Sequence, residues 1–397
     1  MRIGILASQY PLPTETFVYE SVRWLETAGH RVEVIADRRA GGPGLAEQDY
    51  PATVLGPWMG RGDKLRRLLS HPARVLAGAQ HARRLKYSST FTFAECLARS
   101  TLPGIRRSDF VLAHFGPAGA QWLPVVAAAR RPYAVFFHGF DATRHLQERP
   151  HAYDALIASR TAALTNSEYL KSRLVTAGFA PERVGVVRLG VSDALDGRSA
   201  RPAAAGGQVL SIARLVAKKG LDDSIRAFAQ AQDALKGTWR YRIVGEGHLL
   251  GELQALAASL GVSSLVEFSG TLPRDETLRA LEQASVFLLT SKTGEAGDTE
   301  GTPVSILEAA TVGLPIVSTI HAGIPELLPP DSARSVMLRP EGDVAGVAAA
   351  LRALAADPAL RSEWGAACRT FVRAGHSSAA HVTALLAALD QYAEPPR

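Results

Sequence analysis

The chain has 397 residues, of which 47% are hydrophobic and 21% charged, with a formal net charge of +6 at pH 7. This is the composition of an ordinary globular protein, and the length exceeds what one hydrophobic core usually serves, so we expect two domains. The two cysteines, Cys96 and Cys368, lie far apart and form no pattern, which argues against a disulfide framework or a thiolate metal site.

The first residues, "MRIGILASQYP", combine one arginine with a short apolar run, so they predict a buried strand rather than a signal peptide. No stretch approaches the roughly 18 to 20 apolar residues that a transmembrane helix needs. We therefore expect a cytoplasmic protein in a reducing compartment. The sequence leaves open a peripheral position at the inner face of the membrane.

The first half alternates predicted strands and helices. Strands are predicted at "RIGILAS", "RVEVIAD", "FVLAHF", "YAVFFHG" and "AALTNS". A helix is predicted over "TFVYESVRWLETAGH", with Phe17, Val18, Val22 and Leu25 on one face and Gly29 near its end. Strands that alternate with helices imply a parallel sheet with helices on both sides.

The basic residues are concentrated in the first half of the chain. Residues 1–200 hold 26 Lys and Arg against 17 Asp and Glu, whereas residues 201–397 hold 18 against 21. The excess is densest in residues 60–86, where leucines and a valine recur at near-helical spacing and Pro72 suggests a break between two helices. Two interpretations remain open, a solvated helix pair on its own domain and an amphipathic surface for anionic lipid or an anionic acceptor.

A short Pro- and Gly-containing stretch at 193–207 predicts a linker between domains at 1–192 and 208–377. After it the alternation restarts with "QVLSIA", "YRIVG", "VEFSG", "VFLLTS" and "PIVST" as strands. Both halves are therefore predicted to be doubly wound, Rossmann-like α/β domains. In such sheets ligands bind at the carboxyl ends of the strands.

The stretch "EGTPVSILEA", residues 300–309, predicts a helix start beside two acids, Glu300 and Glu308. Thr302 is expected as N-cap and Pro303 as the first helical residue, with a helix over 303–312. The first amides of such a helix are a ready site for a phosphate, and carboxylates beside it could accept hydrogen bonds from hydroxyls. A nucleotide sugar has this construction, although the acids could simply cap and solvate the helix.

Two cations follow the first strand of the second domain. "SIARLVAKKG" places Arg214 and Lys219 in one strand-to-helix loop, which suits a diphosphate, while the adjacent Lys218 is expected to be an ordinary surface residue. The glycine-rich turn "VGEGHLLG", which contains Gly245, misses the dinucleotide fingerprint by one residue.

These motifs together resemble the family 4 retaining glycosyltransferases of the GT-B fold. The resemblance rests on "ARLVAKKG", "VGEGHL", "FSGTLP", "EGTPVSILEA" and "GIPELL" in the second half and on shorter pieces, "PTETF", "AHFG", "FFHGFD" and "TNSEYLKSRL", in the first. Among relatives these pieces look most like the exopolysaccharide and colanic acid type. The resemblance implies two Rossmann-like domains facing across a cleft, with the final helix, about 378–397, returning to the first domain.

The resemblance also implies roles for individual residues. Arg214 and Lys219 would bind the donor diphosphate, Glu308 the ribose hydroxyls and Glu300 the hydroxyls of the transferred sugar. His138, in "FFHGFD", would approach the donor sugar from the first domain. The remaining donor-side positions implied are Gly245, Leu272, Gly301, Thr302, Pro303, Val304 and Ser305.

The acceptor side is matched less fully. Many relatives have a glycine pair in the first strand-to-helix loop, where this chain has "SQYPLPTETF", so Thr14, Glu15 and Thr16 are candidates for positioning the acceptor instead. His114 and Asp141 are further acceptor candidates, with a structural role as the alternative. The stretch "HSSAAH" also departs from the aromatic-rich entry that relatives often have before the final helix.

The expected reaction is a metal-independent transfer, because two cations and a helix N-terminus can stabilise the charge of the departing diphosphate. The sequence has no D-x-D triplet, and no cofactor or metal is implied beyond the nucleotide-sugar donor. By resemblance the anomeric configuration is retained, and the acceptor is a saccharide or lipid-linked intermediate.

Other functions stay open at this point. A nucleotide-sugar epimerase or hydrolase, a transferase acting on a small natural product, and a non-catalytic nucleotide-sugar-binding protein would all bind the same donor. A nucleic-acid partner is not expected despite the sequence pI near 9.4, because the basic residues show no recognition motif or aromatic interleaving.

Overall fold

Both halves of the chain form a parallel sheet flanked by helices. The computed structural model describes residues 1–12, 15–40, 50–55, 60–73, 75–76, 92–200, 206–330 and 334–393. Its chain divides into unit 1, Met1–Arg188 with Ser378–Arg397, and unit 2, Leu189–Ser377. Of the predicted linker, residues 201–205 lie outside the described residues. Ala200 donates its backbone N–H to the Val312 carbonyl oxygen at 2.8 Å, which ties the preceding residues to unit 2.

The sheet of unit 1 has the strand order β3-β2-β1-β4-β5-β6-β7, and its neighbouring strands pair in parallel. The strands are β1 (Arg2–Tyr10), β2 (Arg31–Arg39), β3 (Thr53–Val54), β4 (Phe110–His114), β5 (Tyr133–Phe137), β6 (Ala162–Thr165) and β7 (Val184–Val186). The central strands β4 and β5 are buried along their whole length, as expected for strands covered by helices on both faces.

The helices of unit 1 connect successive strands and cover the sheet. They are α1 (Thr16–Thr27), α2 (Arg61–Ser70), α3 (Phe93–Arg99), α4 (Pro103–Arg106), α5 (Gly116–Ala129), α6 (Arg144–Glu148), α7 (Asp154–Ala158) and α8 (Glu168–Thr176). The predicted helix with Val18, Val22 and Leu25 on its buried face is α1, and Gly29 beyond its end takes a positive φ of 85°. Trp122 and Phe137 are among the largest side chains of the buried core.

The sheet of unit 2 has the order β10-β9-β8-β11-β12-β13, again in parallel pairs. The strands are β8 (Gly207–Ile212), β9 (Trp239–Val244), β10 (Val266–Phe268), β11 (Val286–Leu289), β12 (Ile316–Thr319) and β13 (Leu338–Arg339). The order runs outward from β8 in one direction and then from β11 in the other. This is the Rossmann order, in which the sequence reverses between the first and fourth strands.

The helices of unit 2 pack on this sheet. They are α9 (Leu221–Gln230), α10 (Gln232–Leu235), α11 (Leu250–Ser259), α12 (Arg274–Gln283), α13 (Val304–Thr311), α14 (Arg334–Met337), α15 (Val344–Ala356) and α16 (Pro358–Gly375). Phe228 on α9 and Phe287 on β11 are both fully buried, so helix and strand share one apolar core.

The last helix, α17 (Ser378–Gln391), belongs to unit 1 and packs on α1. His381 bonds through Nε2 to the Ser21 hydroxyl at 3.0 Å and through Nδ1 to the Arg188 carbonyl oxygen at 2.8 Å. Its ring lies edge-on to Trp24, with 5.6 Å between centroids. The histidine that ends "HSSAAH" therefore supplies contacts that hold α17 in place.

Candidate functional site

The loops that follow β8 and β11 meet at the reversal point of the unit 2 sheet, where open α/β sheets bind their ligands. The loop after β8 runs to Gly220 and carries the predicted cations. The loop after β11 runs to Pro303 and carries Glu300. The backbone itself brings the loops together, because Gly220 has a φ of 62° and a Cβ there would lie 1.8 Å from the Thr290 carbonyl oxygen. A residue with a side chain could not make this approach.

The predicted residues Lys219 and Glu300 form an ion pair in this place. Lys219 Nζ lies 2.5 Å from Glu300 Oε1, and the two side chains are only 12% and 8% exposed. Burial opposes ionisation of Glu300, but the charges of Lys219 and Lys218 outweigh it and hold the pKa of that carboxyl below its usual value. Glu300 is therefore an ionised acceptor held beside a cation.

Lys218 is not the surface residue that we expected. It is buried, and its Nζ donates to Asp298 Oδ1 at 2.9 Å and to the Thr299 carbonyl oxygen at 3.2 Å. From the short 3₁₀ helix Ala217–Lys219, Lys218 reaches the two residues just before Glu300 and Lys219 reaches Glu300 itself. Lys218 therefore fixes the loop that carries the candidate acid.

Glu300 is held from its backbone side by a histidine that the sequence analysis did not single out. Glu300 donates its N–H to His321 Nε2 at 3.1 Å, and His321 Nδ1 lies 2.6 Å from Glu341 Oε1. Since Nε2 accepts, Nδ1 is the protonated nitrogen and donates to Glu341. Thr293 also donates its N–H to Glu341 Oε2, at 2.8 Å. The position of His321, two residues after the end of β12, was the available signal.

Helix α13 begins one residue later than predicted. Pro303 is the N-cap, with extended backbone at φ −65° and ψ 107°, and no side chain caps the helix, so Thr302 is not the N-cap. The proline fails to enter the helix because its ψ is not helical. The end is as expected, since Gly313 at φ 84° donates to Ala310 and the next amide to Ala309. The first amides of α13 have no acceptor within the helix.

Glu308, on the buried side of α13, forms an ion pair with a residue that the sequence analysis did not consider. Arg274 Nη1 lies 2.7 Å from Glu308 Oε1, with the arginine side chain 37% exposed and the glutamate 8%. Arg274 is the first residue of α12 and follows the half-buried Leu272 in the loop after β10. The loops after β8, β10 and β11 thus each contribute a charged group to the strand ends of unit 2.

Arg214 and Gly245 lie in neighbouring loops. Arg214 is exposed and makes no ion pair among the described residues. Gly245 has a φ of 134°, and a Cβ there would lie 2.0 Å from the Ala213 carbonyl oxygen, so the loop after β9 packs directly against the loop that carries the cations. The guanidinium of Arg214 therefore extends from a well-supported backbone.

The remaining donor-side positions are continuous with this cluster. Gly301, Thr302 and Pro303 are buried, whereas Val304 and Ser305 are half-buried at the start of α13. Among the described residues, no group of three or more His, Cys, Asp and Glu side chains is arranged to hold a metal ion. The unit 2 site thus consists of cations, hydrogen-bond acceptors and helix amides.

The reversal point of the unit 1 sheet lies between β1 and β4 and carries the other predicted residues. His114 ends β4 and His138 follows β5, and His114 Nδ1 lies 3.0 Å from His138 Nε2. Burial lowers the pKa of both rings, to about 3 for His114, so the two histidines are neutral. The Phe17 ring, on α1, lies 4.4 Å from that of His138.

Asp141 is fully buried and holds these strand ends together. Its Oδ1 accepts from the N–H groups of His138, at 2.9 Å, and Gly139, at 3.0 Å, while Oδ2 accepts from Gly116 N–H at 2.9 Å. Burial raises the pKa of Asp141, and these amide hydrogen bonds counter part of that rise. The geometry gives Asp141 a structural position between the loops after β4 and β5.

Glu15 and Thr16 lie where the loop after β1 meets α1, while Thr14 lies outside the described residues. Burial, followed by the nearby charge of Asp141, raises the pKa of Glu15 to about 7. Glu15 is the N-cap of α1, but its side chain makes no capping hydrogen bond. Its carboxyl group is thus half-buried and can change protonation state near neutral pH.

The basic segment is described over 60–73 and 75–76, and the rest of 60–86 lies outside the described residues. Leu68 and Val75 pack against Leu97 and Ala128, so α2 rests on its own unit. Three other leucines stay exposed, and their exposed fractions are 58% for Leu65, 69% for Leu69 and 66% for Leu76. No helix among the described residues is long and apolar enough to cross a membrane.

With this geometry established, comparison with known proteins identifies the fold and the family. The Anabaena protein Alr3699/HepE, solved in complex with UDP, superposes with a TM-score of 0.75 at 17% identity over 98% of this chain and 99% of its own. The lipopolysaccharide outer core galactosyltransferase WaaB superposes with a TM-score of 0.66 at 16% identity over 98% and 99%. The fold is that of the GT-B glycosyltransferases.

Sequence similarity is more specific. The model of Glycosyltransferase Family 4 matches residues 14–195, and that of Glycosyl transferases group 1 matches residues 201–371. WcaL of Salmonella typhimurium, provisionally named a colanic acid biosynthesis glycosyltransferase, is 32% identical over 372 residues, covering 88% of this chain and 90% of its own. AmsK of Erwinia amylovora, an amylovoran biosynthesis glycosyltransferase, is 31% identical over 373 residues, covering 88% and 90%. The chain belongs to the family 4 glycosyltransferases, and both of these relatives are named for exopolysaccharide synthesis.

Proposed function

We propose that this glycosyltransferase moves a hexosyl group from a nucleoside-diphosphate sugar to a hydroxyl of a saccharide or lipid-linked intermediate in exopolysaccharide synthesis. The observation that carries the proposal is the buried Lys219–Glu300 ion pair at the reversal point of the unit 2 sheet. Beside the start of α13, this pair combines positive charge for a diphosphate with a carboxylate for sugar hydroxyls.

The donor roles follow from this arrangement. Lys219 has three N–H donors, so it can hold Glu300 with one and a phosphate oxygen with another. Arg214, exposed in the same loop, is suited to bidentate contact with a phosphate. Glu308 is the candidate acceptor for ribose hydroxyls, which would have to share its carboxylate with Arg274 or displace it.

The proposed reaction retains the anomeric configuration. The bond from the sugar's anomeric carbon to the diphosphate oxygen breaks, and a bond to the acceptor oxygen forms on the same face. The acceptor's hydroxyl proton passes to the departing diphosphate. Arg214, Lys219 and the N-terminus of α13 stabilise the negative charge as it develops, which is why we propose that transfer needs no metal. In unit 1, we assign His138 to contact with the transferred sugar.

The acceptor is assigned to unit 1. Glu15 and Thr16 lie at the carboxyl end of β1, beside the loop that carries His138, and a carboxyl group near neutrality can accept or donate to a hydroxyl. The names of the WcaL and AmsK relatives support an exopolysaccharide intermediate as the acceptor. Thr14 is proposed with them from the sequence alone.

We also propose that α2 contacts the anionic inner face of the membrane, where a lipid-linked acceptor would lie. The exposed leucines 65 and 69 are one helical turn apart, and the Arg66 side chain between them is 76% exposed. Sedimentation with anionic vesicles should carry the wild type down and leave the Leu65→Ser/Leu69→Ser variant in solution. Equal sedimentation of both, or none, would contradict this contact.

The transfer itself is tested by incubating the chain with a panel of nucleotide sugars, with and without membrane extract from an exopolysaccharide-producing cell. Release of nucleoside diphosphate that depends on the extract, with the donor's anomeric configuration kept in the product, is the expected result. Release without extract would favour a hydrolase. Isomerisation of the donor would favour an epimerase, and binding without turnover would favour a binding protein.

A further inference from the structure

The two histidines at the reversal point of the unit 1 sheet form an arrangement that the proposed reaction does not explain. His114 and His138 are 2% and 9% exposed, and their rings lie 9° from parallel with centroids 5.2 Å apart. The distance of 3.0 Å between His114 Nδ1 and His138 Nε2 is that of a hydrogen bond. Each of the two buried rings thus uses one of its nitrogens to bond to the other ring.

The protons of the two rings are coupled by this hydrogen bond. A neutral imidazole has one N–H donor and one acceptor, so one ring must donate across the bond and the other must accept. If His114 donates, His138 carries its own proton on Nδ1. If His114 accepts, His138 Nδ1 is a bare acceptor. The state of His114 therefore determines what the second nitrogen of His138 can do.

That second nitrogen has no partner in the described part of the chain. His138 Nδ1 and His114 Nε2 are both buried without a hydrogen-bond partner there. The His138 ring is confined by the rings of Phe136, Phe17 and Phe115, at centroid distances of 4.6, 4.4 and 4.8 Å. His138 Nδ1 can therefore meet another hydrogen-bond partner only if the His138 ring or the rings around it move.

The backbone next to each histidine is held in place by hydrogen bonds to one side chain. Asp141 accepts from Gly116, two residues after His114, and from His138 itself. Phe115, directly after His114, has a positive φ of 71°, which is uncommon for a residue with a side chain. Strained backbone next to a functional residue persists only where the surroundings enforce it.

We propose that His114 is a positioning residue, which through its Nδ1 holds the His138 ring in one orientation and couples the tautomers of the two rings. The His138 ring is then fixed at the strand ends, where the proposed function places the transferred sugar. This inference rests on the proposed function only for the identity of the group that His138 meets. It assigns to His114 a role through His138 rather than the direct acceptor contact expected from the sequence.

The tautomers are measured by long-range ¹H–¹⁵N NMR of the full chain labelled with ¹⁵N-histidine, with the signals of each ring identified by their loss in His138→Gln and His114→Leu. The wild type should show the same tautomer for both rings, because a bond donated by His114 Nδ1 leaves the His138 proton on Nδ1, and the reverse bond puts both protons on Nε2. His114→Leu, which keeps bulk but cannot hydrogen-bond, should change the ratio of His138 tautomers. His114→Asn, whose amide can bond to His138 Nε2, should keep that ratio closer to the wild type. Different tautomers on the two wild-type rings, or unchanged His138 signals in His114→Leu, would overturn the proposal.

Kinetics test whether this positioning serves transfer. His114→Leu should lower kcat roughly 10- to 100-fold, by analogy with the loss seen when a group that orients a metal-ligating histidine is removed. KM for the nucleotide sugar should change much less, and His114→Asn should recover most of kcat. The control His145→Leu removes a ring that packs instead on Phe140 and Tyr153 and should leave kcat near the wild type.

The two measurements separate the possible failures. If the wild type transfers no sugar from any donor, the proposed function is wrong, and the NMR result still decides whether His114 sets the tautomer. If transfer occurs and His114→Leu has normal kcat while remaining folded, as judged by its melting temperature, the positioning role is wrong. If His114→Leu does not fold, His114→Phe, which keeps an aromatic ring but removes both ring nitrogens, takes its place in both measurements.

Discussion

Removing Lys219 should destabilise unit 2 as well as slow the reaction, because Glu300 would be left buried without its ion-pair partner. The two side chains are 12% and 8% exposed and 2.5 Å apart. Breaking a buried pair by removing one partner typically costs about 3–5 kcal/mol. Lys218 still acts on Glu300, so we expect Lys219→Ala to cost about 3 kcal/mol, the low end of that range.

At about 2–4 °C per kcal/mol for a unit of this size, the melting temperature should fall by about 6–12 °C. Lys219→Ala/Glu300→Gln, which also removes the buried charge, should recover most of this loss. Arg226→Ala, an exposed cation on α9, is the control and should leave the melting temperature unchanged. The measurement is thermal unfolding by calorimetry, with transfer rates on the same samples.

Stability and activity should separate in this series. The double variant should be nearly as stable as the wild type but should still transfer sugar roughly 10²–10³-fold more slowly, the usual effect of losing one preorganised charged or hydrogen-bonding group. Single and double variants with equal melting temperatures would refute a buried, ionised Glu300. Normal transfer by the double variant would refute the assignment of the pair to the donor site.

The lowered pKa of Glu300 determines how the stability of the fold changes with pH. The folded state holds the pKa of Glu300 below its ordinary value, so the pair stabilises the fold fully above about pH 4.5. This stabilisation is lost as pH falls through the lower folded pKa. In the double variant, the acid unfolding transition should therefore be less steep over that range. Identical acid unfolding transitions of the wild type and the double variant would contradict a stabilising Lys219–Glu300 ion pair.

Three further predictions follow from single side chains. Glu308→Ala should lower transfer by roughly 10²-fold yet cost only about 1 kcal/mol of stability, since its partner is partly exposed. A fall in transfer no larger than the fall in the amount of folded protein would contradict a donor contact. Glu15→Gln should be more stable than the wild type at pH 8 and equal to it near pH 4.5. A raised carboxyl pKa favours the fold at low pH, and this advantage is lost as pH rises through about 7. The same difference in urea midpoint between the two proteins at both pH values would contradict the prediction. Gly220→Ala should cost roughly 3 kcal/mol or more, whereas Gly237→Ala, at a similar φ of 66° but with open space around it, should cost about 1 kcal/mol; equal urea midpoints would contradict the close approach to Thr290.

The fold was predictable because its signal is repeated along the chain. Buried parallel strands alternate with amphipathic helices in both halves, and this alternation alone implies a doubly wound sheet. The edge strands β3, β7 and β13 could not be found in the same way. They span two, three and two residues, which leaves little pattern to recognise, although the three-residue edge strand β10 was found within "VEFSG".

The site was only partly predictable. Residue types and loop positions indicated cations and acids at the strand ends, but not that Lys219 and Glu300 would bond to each other. That pairing depends on the β8–β11 neighbour relation, which joins segments about 80 residues apart. The sequence analysis wrongly placed Lys218 at the surface, because the turn that buries it is set by tertiary contacts. His321 could have been flagged by its place after a strand, but its bonds to Glu341 and the Glu300 amide could not.

The central claim is that the strand ends of unit 2 hold the diphosphate of a nucleotide sugar. Its most direct test is thermal stabilisation of the wild type, Arg214→Ala and Lys219→Ala/Glu300→Gln by a panel of nucleoside-diphosphate sugars. At about 100 times its Kd, a bound donor adds about 2.7 kcal/mol to the stability of the folded state. We predict that at least one donor stabilises the wild type and that the same concentration has much less effect on either variant. Equal stabilisation of all three proteins would contradict the claim, and so would no stabilisation of the wild type by any donor.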